Sequence, residues 1–479
     1  MRSSQRCLQM IFVERQVTKT YMATMDDYLE WRGDLPLTVD PFNEVDNLIL
    51  VQMAYIDFDG VVCAPGDHSP LTLAQVNEAY WQLHTKEEVL ARKTFVSSAP
   101  FLMDKAAQTA RFGSVLLTDY VNIVSVEKQE QMAVLTYLLP DGTSYVAFRG
   151  TDDTVIGWKE DFNLSYMEET LGQKHAVEYM NQCFQGNTRP LRVGGHSKGG
   201  NFAVYASAFA DPSIQKQITE VYSNDGPGLL YRLTQAEGYQ AILPLVNSIV
   251  PEDSIVGMLM ASGASHHVVK SSAQGILQHD ATTWLVRGKH FEECKTRSSL
   301  SLFFEKTLHG WIDNIGEEHR KEFVDTLFSF LLGTGASTIT DVNRDLLGSL
   351  QSMVKAYGSL SEDDRNVFND VVGRLVKSGS DTLQEGVSQE AKSLQEEFVS
   401  GAKAFLQESI ASGTKAFLQE SIASGTKALQ ESFASGTKAV QNGIASGTKA
   451  VQDGTSSGTK TSQDGTSSGT KISQDGSPS

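Results

Sequence analysis

Hydrophobic and polar positions over residues 133–290 predict strands interleaved with helices. A β-hairpin is expected first, from Ala133 to Phe148, with its turn at Pro140-Asp141-Gly142-Thr143. Short strands are then expected at 191–193, 218–222, 246–250 and 268–270. A compact apolar helix over Asn201 to Phe209 separates the first two of them. Strands that alternate with helices indicate an α/β fold with a mostly parallel central sheet.

The pattern changes near residue 300, where helical spacing continues and strand-like runs stop. Apolar residues predict one or two packed helices there: Phe303, Phe304, Leu308, Trp311, Phe323, Leu327, Phe330 and Leu331. We therefore expect an α/β domain over 25–295, followed by a helical region over 296–399 that packs on this domain or caps it. Residues 1–24 are expected to form a disordered extension.

The segment 400–479 is an internal repeat. Ser-Gly-Thr-Lys recurs from residue 412 onward at intervals of 11 or 12 residues. A period of 11 is close to that of a straight α-helix, but each unit contains glycine, which weakens a helix. We expect a marginal amphipathic helix over 400–445 and disorder over 446–479. Two interpretations of the repeat stay open. It either makes peripheral contact with a membrane or a partner protein, or it is a length-variable appendage that makes no such contact.

The charge is concentrated in the body of the chain. The 479 residues contain 40 Lys and Arg against 58 Asp and Glu, for a net charge of −18. The tail 400–479 carries +1 and residues 1–24 carry +3, which leaves about −22 over residues 25–399. Such an acidic body argues against nucleic acid as a partner, because phosphate backbones bind clustered Lys and Arg.

Cysteines and apolar runs indicate a protein of the cytoplasm. The four cysteines are far apart in sequence and predict neither a disulfide framework nor a zinc site. No run of 18 apolar residues occurs, so no transmembrane segment is expected. No cluster of metal ligands is evident, and we expect no metal or cofactor.

The candidate chemistry centres on Ser197. Gly195-His196-Ser197-Lys198-Gly199 has the G-x-S-x-G pattern of a nucleophile elbow. Residues two before and two after such a serine must be small, because the strand turns sharply into a helix there. The strand 191–193 and the apolar helix flank Ser197, whereas matches at 454–458 and 465–469 in the repeat have neither. We predict a nucleophile at Ser197; the alternative is an inert glycine-rich turn.

A serine nucleophile needs a histidine base and a carboxylate that orients the base. In the expected chain order, the acid follows a later strand and the histidine follows the next one. Asp253 follows strand 246–250 and is the favoured acid, with Glu252 and Asp225 as competitors. His279 follows strand 268–270 and is the favoured base. The alternatives for the base are His266, His267 and His290.

The oxyanion of an acyl-transfer intermediate needs two N–H donors. The backbone of Lys198 is expected to supply one of them. Thr151, which follows the return strand of the hairpin, is expected to supply the other from its backbone, with its hydroxyl as an additional donor. Arg149 and Asp161 are expected to form a structural ion pair beneath the site.

These motifs resemble known lipases. Features shared with class 3 (fungal-type) lipases are Phe148-Arg149-Gly150-Thr151, Trp158, Asp161 and the stretch 195–200. The stretches 25–34 and 194–201, with lysine after the serine, are more similar to the bacterial Mbeg-like family. The resemblance covers roughly residues 25–290. It implies an α/β-hydrolase fold, an ester or lipid substrate, and carboxylic-ester hydrolysis by Ser197.

Two other functions compete with the hydrolase. Residues 56–62 resemble the opening motif of haloacid-dehalogenase-type phosphatases, with Asp57 as nucleophile and Asp59 as general acid. The apolar spacing over 46–59 is helical, however, whereas that motif follows a strand. The second alternative is a hydrolase fold retained as a catalytically inactive binding protein.

Overall fold

The computed structural model describes residues 22–333, apart from 68, 92–96 and 153, and isolated positions between 360 and 378. The isolated positions are 360–362, 366–367, 370–371, 373–374 and 377–378. The repeat tail predicted at 400–479 lies outside the described residues. So do residues 1–21 of the predicted N-terminal extension and most of the segment 341–399.

Eight strands form one sheet in chain order: β1 Leu71–Thr72, β2 Leu116–Ser125, β3 Glu130–Leu138, β4 Ser144–Phe148, β5 Leu191–His196, β6 Ile218–Asn224, β7 Val246–Pro251 and β8 His266–Val269. The pairings from β1 to β4 are antiparallel, and the four from β4 to β8 are parallel. Two short strands, β9 Val286–Arg287 and β10 His290–Phe291, pair separately. The α/β architecture predicted from the sequence is confirmed.

The helices on and between these strands are α1 Met25–Arg32, α2 Glu44–Met53, α3 Leu73–Leu83, α4 Lys86–Ala91, α5 Ala99–Ala107, α6 Val155–Asn163, α7 Leu171–Cys183, α8 Lys198–Phe209, α9 Pro212–Gln215, α10 Tyr231–Thr234, α11 Glu237–Ile242, α12 Ser299–Asn314 and α13 Glu317–Gly333. Four 3₁₀ turns lie at Leu243–Leu245, Val256–Met258, Gly275–His279 and Ala281–Thr283. No helix in the described part of the chain is both long and apolar enough to cross a membrane.

The sheet is covered on both faces. On β4, Tyr145 and Ala147 belong to the core shared with α1, α2, α3 and α5, whereas Val146 and Phe148 belong to the core shared with α7, α8 and α11. Successive side chains of a strand point to opposite faces, so a central strand needs apolar residues at consecutive positions. This double burial is the reason why the short central strands have continuous apolar runs.

The predicted hairpin is confirmed. Strands β3 and β4 pair in antiparallel register around a turn in which Gly142 has φ of 90°. Asp141 Oδ1 accepts hydrogen bonds from the backbone N–H and the hydroxyl of Thr143, at 3.0 and 2.6 Å. A side chain that hydrogen-bonds its own turn, followed by glycine in the left-handed region, stabilises this connection.

The helical spacing over 46–59 is confirmed only in part. Helix α2 begins after Asn43, whose side chain accepts hydrogen bonds from the N–H groups of Val45 and Asp46. It ends at Met53, and Asp57 and Asp59 are exposed in the turn that follows. The apolar residues Tyr55 and Phe58 are buried, but they lie in this turn and not in a helix.

The helices after residue 298 contact the α/β body through α6. Lys159 Nζ lies 2.8 Å from Asp325 Oδ1 on α13, and the rings of Phe162 and Phe328 lie 5.5 Å apart, edge to face. Trp311 and Phe323 complete a small apolar core with Val155 of α6. Helices α12 and α13 therefore pack on the α/β body at α6.

Candidate active site

Ser197 lies on a sharp turn between β5 and α8. Its backbone has φ of 57° and ψ of −132°, and a φ in the left-handed region is strained for a residue with a Cβ. A Cβ added to Gly195 would lie 2.0 Å from the Gly199 carbonyl oxygen. One added to Gly199 would lie 2.2 Å from the Phe148 carbonyl oxygen. The glycines two before and two after the serine are therefore required by backbone contact, which is the steric reason for the sequence pattern.

The structure brings His279 to Ser197. His279 ends the turn Gly275–His279, and its Nε2 lies 3.0 Å from Ser197 Oγ. That distance is within the hydrogen-bonding range expected for a nucleophile and its base. Ser197 is 9% exposed, and a quarter of the His279 side chain is open to solvent. The Ser197–His279 pair is therefore partly open to solvent.

The carboxylate that contacts His279 is Asp225, and this corrects the assignment of Asp253 as the orienting acid. Asp225 Oδ2 lies 2.7 Å from His279 Nδ1. Strand β6 neighbours β5, and the Ser197 N–H donates to the Asn224 carbonyl at 3.0 Å, so residue 225 emerges beside the serine. Strand β7, which carries Asp253 at its end, lies one strand further away, roughly 10 Å from β5.

Asp225 is fully buried and its second oxygen is also occupied. Its Oδ1 accepts hydrogen bonds from Ser254 Oγ at 2.5 Å and from the Gly257 N–H at 3.1 Å. Charge-assisted hydrogen bonds of this kind fix a carboxylate in one orientation. Sequence reasoning missed Ser254, because a serine in a loop after a strand has no distinguishing signal.

Asp253 hydrogen-bonds the loop that carries His279. Its Oδ2 accepts hydrogen bonds from the Gly275 N–H and from Gln278 Nε2, both at 2.8 Å. Its own N–H donates to Gln278 Oε1 at 2.9 Å. These bonds hold the first residue of the turn Gly275–His279 and the residue before His279. Asp253 therefore contacts the turn that carries His279 rather than His279 itself.

The other candidate bases lie elsewhere. His266 and His267 belong to β8, and His266 Nδ1 lies 2.9 Å from Ser248 Oγ. His267 and His290 both contact Glu44, with Nδ1 atoms 3.2 and 3.4 Å from its carboxylate oxygens. They form a small polar cluster at α2, separate from Ser197.

His196 contacts the backbone of His279. Its Nε2 lies 2.8 Å from the His279 carbonyl oxygen and its Nδ1 lies 2.8 Å from Tyr55 Oη. Burial lowers the pKa of His196 to about 3, so the ring is neutral. A carbonyl only accepts, so Nε2 bears the proton and Nδ1 accepts from the Tyr55 hydroxyl.

The loop that carries Thr151 lies directly against the elbow. A Cβ on Gly150 would lie 2.4 Å from the His196 carbonyl oxygen and 3.1 Å from Ser197 Cβ. Within the described residues, the backbone N–H groups of Thr151 and Lys198 donate no hydrogen bond. Both amides are therefore available to an anion. The Thr151 hydroxyl is not, because it donates to Asp161 Oδ2 at 2.5 Å.

Asp161 is a buried carboxyl beside this loop. Burial raises the pKa of Asp161 to about 6, while the charge of Lys198 and the hydrogen bond from Thr151 act in the opposite direction. An ion pair between Arg149 and Asp161 is expected from the sequence, but among the described residues these two side chains form none with each other. Arg149 instead lies 3.7 Å from Asp152 Oδ2 and donates to Asn122 Oδ1 at 3.1 Å.

The alternative phosphatase site at Asp57 and Asp59 lies on the surface. Asp57 Oδ1 accepts the Asp59 N–H at 3.0 Å, and both carboxylates are exposed after a helix rather than buried after a strand. Within the described part of the chain, no group of three or more His, Cys, Asp or Glu side chains is arranged to hold a metal ion.

Comparison with known proteins gives one family. Residues 106–329 match the family model described as Mbeg1-like, which confirms the resemblance stated from the sequence. No curated protein matches the chain. A solved structure, the crystal structure of M37 lipase, aligns with 44% of this chain and 68% of its own at 15% identity, with a TM-score of 0.27.

Proposed function

From the match of residues 106–329 to the Mbeg1-like family, and from the geometry around Ser197, we propose that the chain is a serine hydrolase of the lipase or esterase type. Ser197 would be the nucleophile, His279 the base, and Asp225 the carboxylate that orients the base. The observation that carries the proposal is one continuous chain of hydrogen bonds, of 3.0 Å from serine to histidine and 2.7 Å from histidine to carboxylate.

In the proposed reaction, His279 Nε2 accepts the Ser197 proton while Oγ attacks the carbonyl carbon of an ester. Asp225 holds the Nδ1–H tautomer and stabilises the imidazolium that forms. The N–H groups of Thr151 and Lys198 bind the oxyanion. His279 then donates its proton to the departing alcohol, which leaves an acyl-enzyme. Water deprotonated by His279 hydrolyses this ester and releases the acid.

The preference for an acyl substrate is supported by two exposed aliphatic side chains next to the base. Ile276 is 61% exposed and Leu277 is 70% exposed, and both lie on the turn that ends at His279. Exposed apolar residues grouped at a site favour contact with apolar ligands. We therefore expect longer acyl chains to be hydrolysed better than acetate.

The test is covalent labelling with a fluorophosphonate probe, which reacts with an activated serine. The wild-type protein should label, and Ser197→Ala should not. Ser207→Ala is a matched control, because Ser207 is buried on the same helix and its hydroxyl donates to the Ala203 carbonyl. Absence of labelling in folded wild-type protein would favour the binding-protein alternative. Phosphatase activity lost in Asp57→Asn and retained in Ser197→Ala would favour the phosphatase.

The acyl preference needs a separate measurement. Hydrolysis of p-nitrophenyl acetate, butyrate, octanoate and palmitate gives the dependence on chain length. The variant Ile276→Ser/Leu277→Ser should lower turnover of the two long esters more than that of acetate. An equal loss on all four esters would refute the role given to these side chains.

A further inference from the structure

Lys198, the residue after Ser197, has a completely buried side chain. A buried ammonium is costly unless acceptors and an opposite charge surround it. Three acceptors contact its Nζ: Gln131 Oε1 at 2.8 Å, Glu160 Oε2 at 3.1 Å and the Gly157 carbonyl oxygen at 3.4 Å. The side chain therefore reaches from the first residue of α8 to β3 and α6.

Glu160 extends this contact to two more backbone groups. Its Oε2 also accepts the Gln131 N–H at 2.8 Å, and its Oε1 accepts the Gly172 N–H at 3.0 Å. A Cβ on Gly172 would lie 2.5 Å from Glu160 Oε1, so glycine is required there for the carboxylate to fit. The ion pair thus joins the starts of α7 and α8 to α6 and β3.

The position of α6 is transmitted to Thr151 by two contacts. Thr151 Cγ2 lies 3.0 Å from where a Cβ on Gly157 would be, so the loop packs closely on the first turn of α6. Asp161, the neighbour of Glu160 on α6, accepts the hydrogen bond of the Thr151 hydroxyl. A shift of α6 would therefore move the Thr151 amide relative to Ser197.

We propose that the Lys198 ammonium is a positioning group for the oxyanion site: with Glu160 and Gln131 it holds α6, and through α6 the Thr151 loop, against the nucleophile elbow. This inference rests on the proposed function, because it concerns the alignment of the two amides that the reaction would use. Among the described residues, Lys198 Nζ has no hydrogen bond to Ser197, His279 or Asp225. Its effect is exerted through α6 and not on the reacting atoms.

A positioning role and a purely structural role predict different kinetics. A structural ion pair supports the fold, and its loss lowers stability while the folded fraction keeps its kcat. Oxyanion contacts form mainly in the transition state, so their misalignment lowers kcat and leaves KM nearly unchanged. A displacement of about 1 Å in a catalytic group is enough to lower the rate about 100-fold.

The decisive variants are Lys198→Met and the double variant Lys198→Met/Glu160→Gln. The first keeps the backbone amide and most of the side-chain volume, and the second also removes the buried carboxylate charge that would otherwise be left unpaired. Gln131→Met removes one acceptor and keeps the ion pair. Lys159→Met is the matched control, because Lys159 is a buried lysine on α6 whose partner is Asp325 on α13.

The measurements are kcat and KM for p-nitrophenyl butyrate, the rate of fluorophosphonate labelling, and thermal unfolding to show that each variant is folded. We expect kcat to fall about 10- to 100-fold in both Lys198 variants, with KM within about threefold of wild type. Gln131→Met should show a smaller loss of kcat in the same direction, and it decides the question if the Lys198 variants do not fold. Lys159→Met should keep the wild-type kcat.

Two failures can be told apart. This inference would be overturned if the folded double variant had a kcat within about twofold of wild type; the proposed function would stay intact. If the double variant does not fold, the same result in folded Gln131→Met would overturn it. Folded wild-type protein that neither turns over esters nor labels would overturn the proposed function, and the inference with it.

Discussion

In the proposed reaction, the exchange of Asp225 for asparagine should nearly abolish activity, because of the hydrogen bonds that the Asp225 carboxylate makes. The Asp225 Oδ1 position faces two donors, the Ser254 hydroxyl and the Gly257 N–H. An asparagine must place its oxygen there, because an amide NH₂ would meet the Gly257 N–H, which can only donate, whereas the Ser254 hydroxyl could rotate to accept. Its NH₂ group is then forced to face His279 Nδ1.

That orientation selects the wrong tautomer of the base. An NH₂ group donates, so His279 Nδ1 must accept and its proton moves to Nε2. Nε2 is the atom 3.0 Å from Ser197 Oγ, and once protonated it cannot take the serine proton. Loss of the correct tautomer in a serine triad lowers kcat by about 10⁴, which corresponds to about 5.5 kcal/mol in the barrier.

Asp253→Asn is the matched control. Both hydrogen bonds to its side chain converge on one oxygen, Oδ2, which an asparagine oxygen can replace. We expect kcat within about fivefold of wild type, since neutralising this acceptor weakens two bonds without removing them. The assay is hydrolysis of p-nitrophenyl butyrate at pH 7.5, with thermal unfolding of each variant. If Asp253→Asn is inactive while folded Asp225→Asn keeps more than a tenth of the wild-type kcat, the reasoning from the hydrogen-bond geometry is wrong.

Three further predictions concern the fold and the site. Arg111→Met leaves the carboxylate of the fully buried Asp46 without its ion-pair partner and should lower the free energy of unfolding in urea by about 3–5 kcal/mol. Lys321 forms an exposed i,i+4 ion pair with Asp325, so Lys321→Met should lower the same quantity by about 0.5 kcal/mol or less. Equal losses in the two variants would contradict this. Gly150→Ala would place a Cβ 2.1 Å from Tyr55 Oη and should reduce both kcat and stability, the latter by about 1–3 kcal/mol; Gly316→Ala, with no atom within 4 Å, should behave as wild type in both measurements. Asp161 has a pKa raised from 3.8 to about 6 in the fold, so its stabilising contribution is complete below the lower value and is lost as pH rises through the higher one. Between pH 4 and 7, the free energy of unfolding of wild type in urea should therefore fall by about 2 kcal/mol relative to that of Asp161→Asn, and parallel stability curves would refute the assignment.

The elbow and the hairpin could be predicted because their causes are local. Gly195, Ser197 and Gly199 lie within five residues, so the pattern is visible in the sequence, and a Cβ on Gly195 would meet the Gly199 carbonyl oxygen of the same turn. The hairpin likewise depends on Asp141 and Gly142 at adjacent positions. Helix α2 was predicted too long, because apolar residues at Tyr55 and Phe58 keep helical spacing although they are buried from a turn.

The acid could not be chosen in the same way. Asp225 and Asp253 both follow a strand, and both stand between the serine and the histidine in chain order. What separates them is that β6 neighbours β5 whereas β7 does not, and strand order is set by the packing of the whole sheet. Of these two, Asp253 is closer to His279 in sequence, but it hydrogen-bonds the loop that carries the histidine.

The sequence alone determined the class of the fold and the place of the candidate nucleophile, because strand period, turn chemistry and glycine spacing act over a few residues. Only the tertiary structure decided which groups meet across long separations. The contacts of His279 span 54 residues to Asp225 and 82 to Ser197, and that of Lys198 spans 38 to Glu160. Such partners are set by sheet order and helix packing, since a side chain finds its acceptor only after the elements that carry both have been brought together.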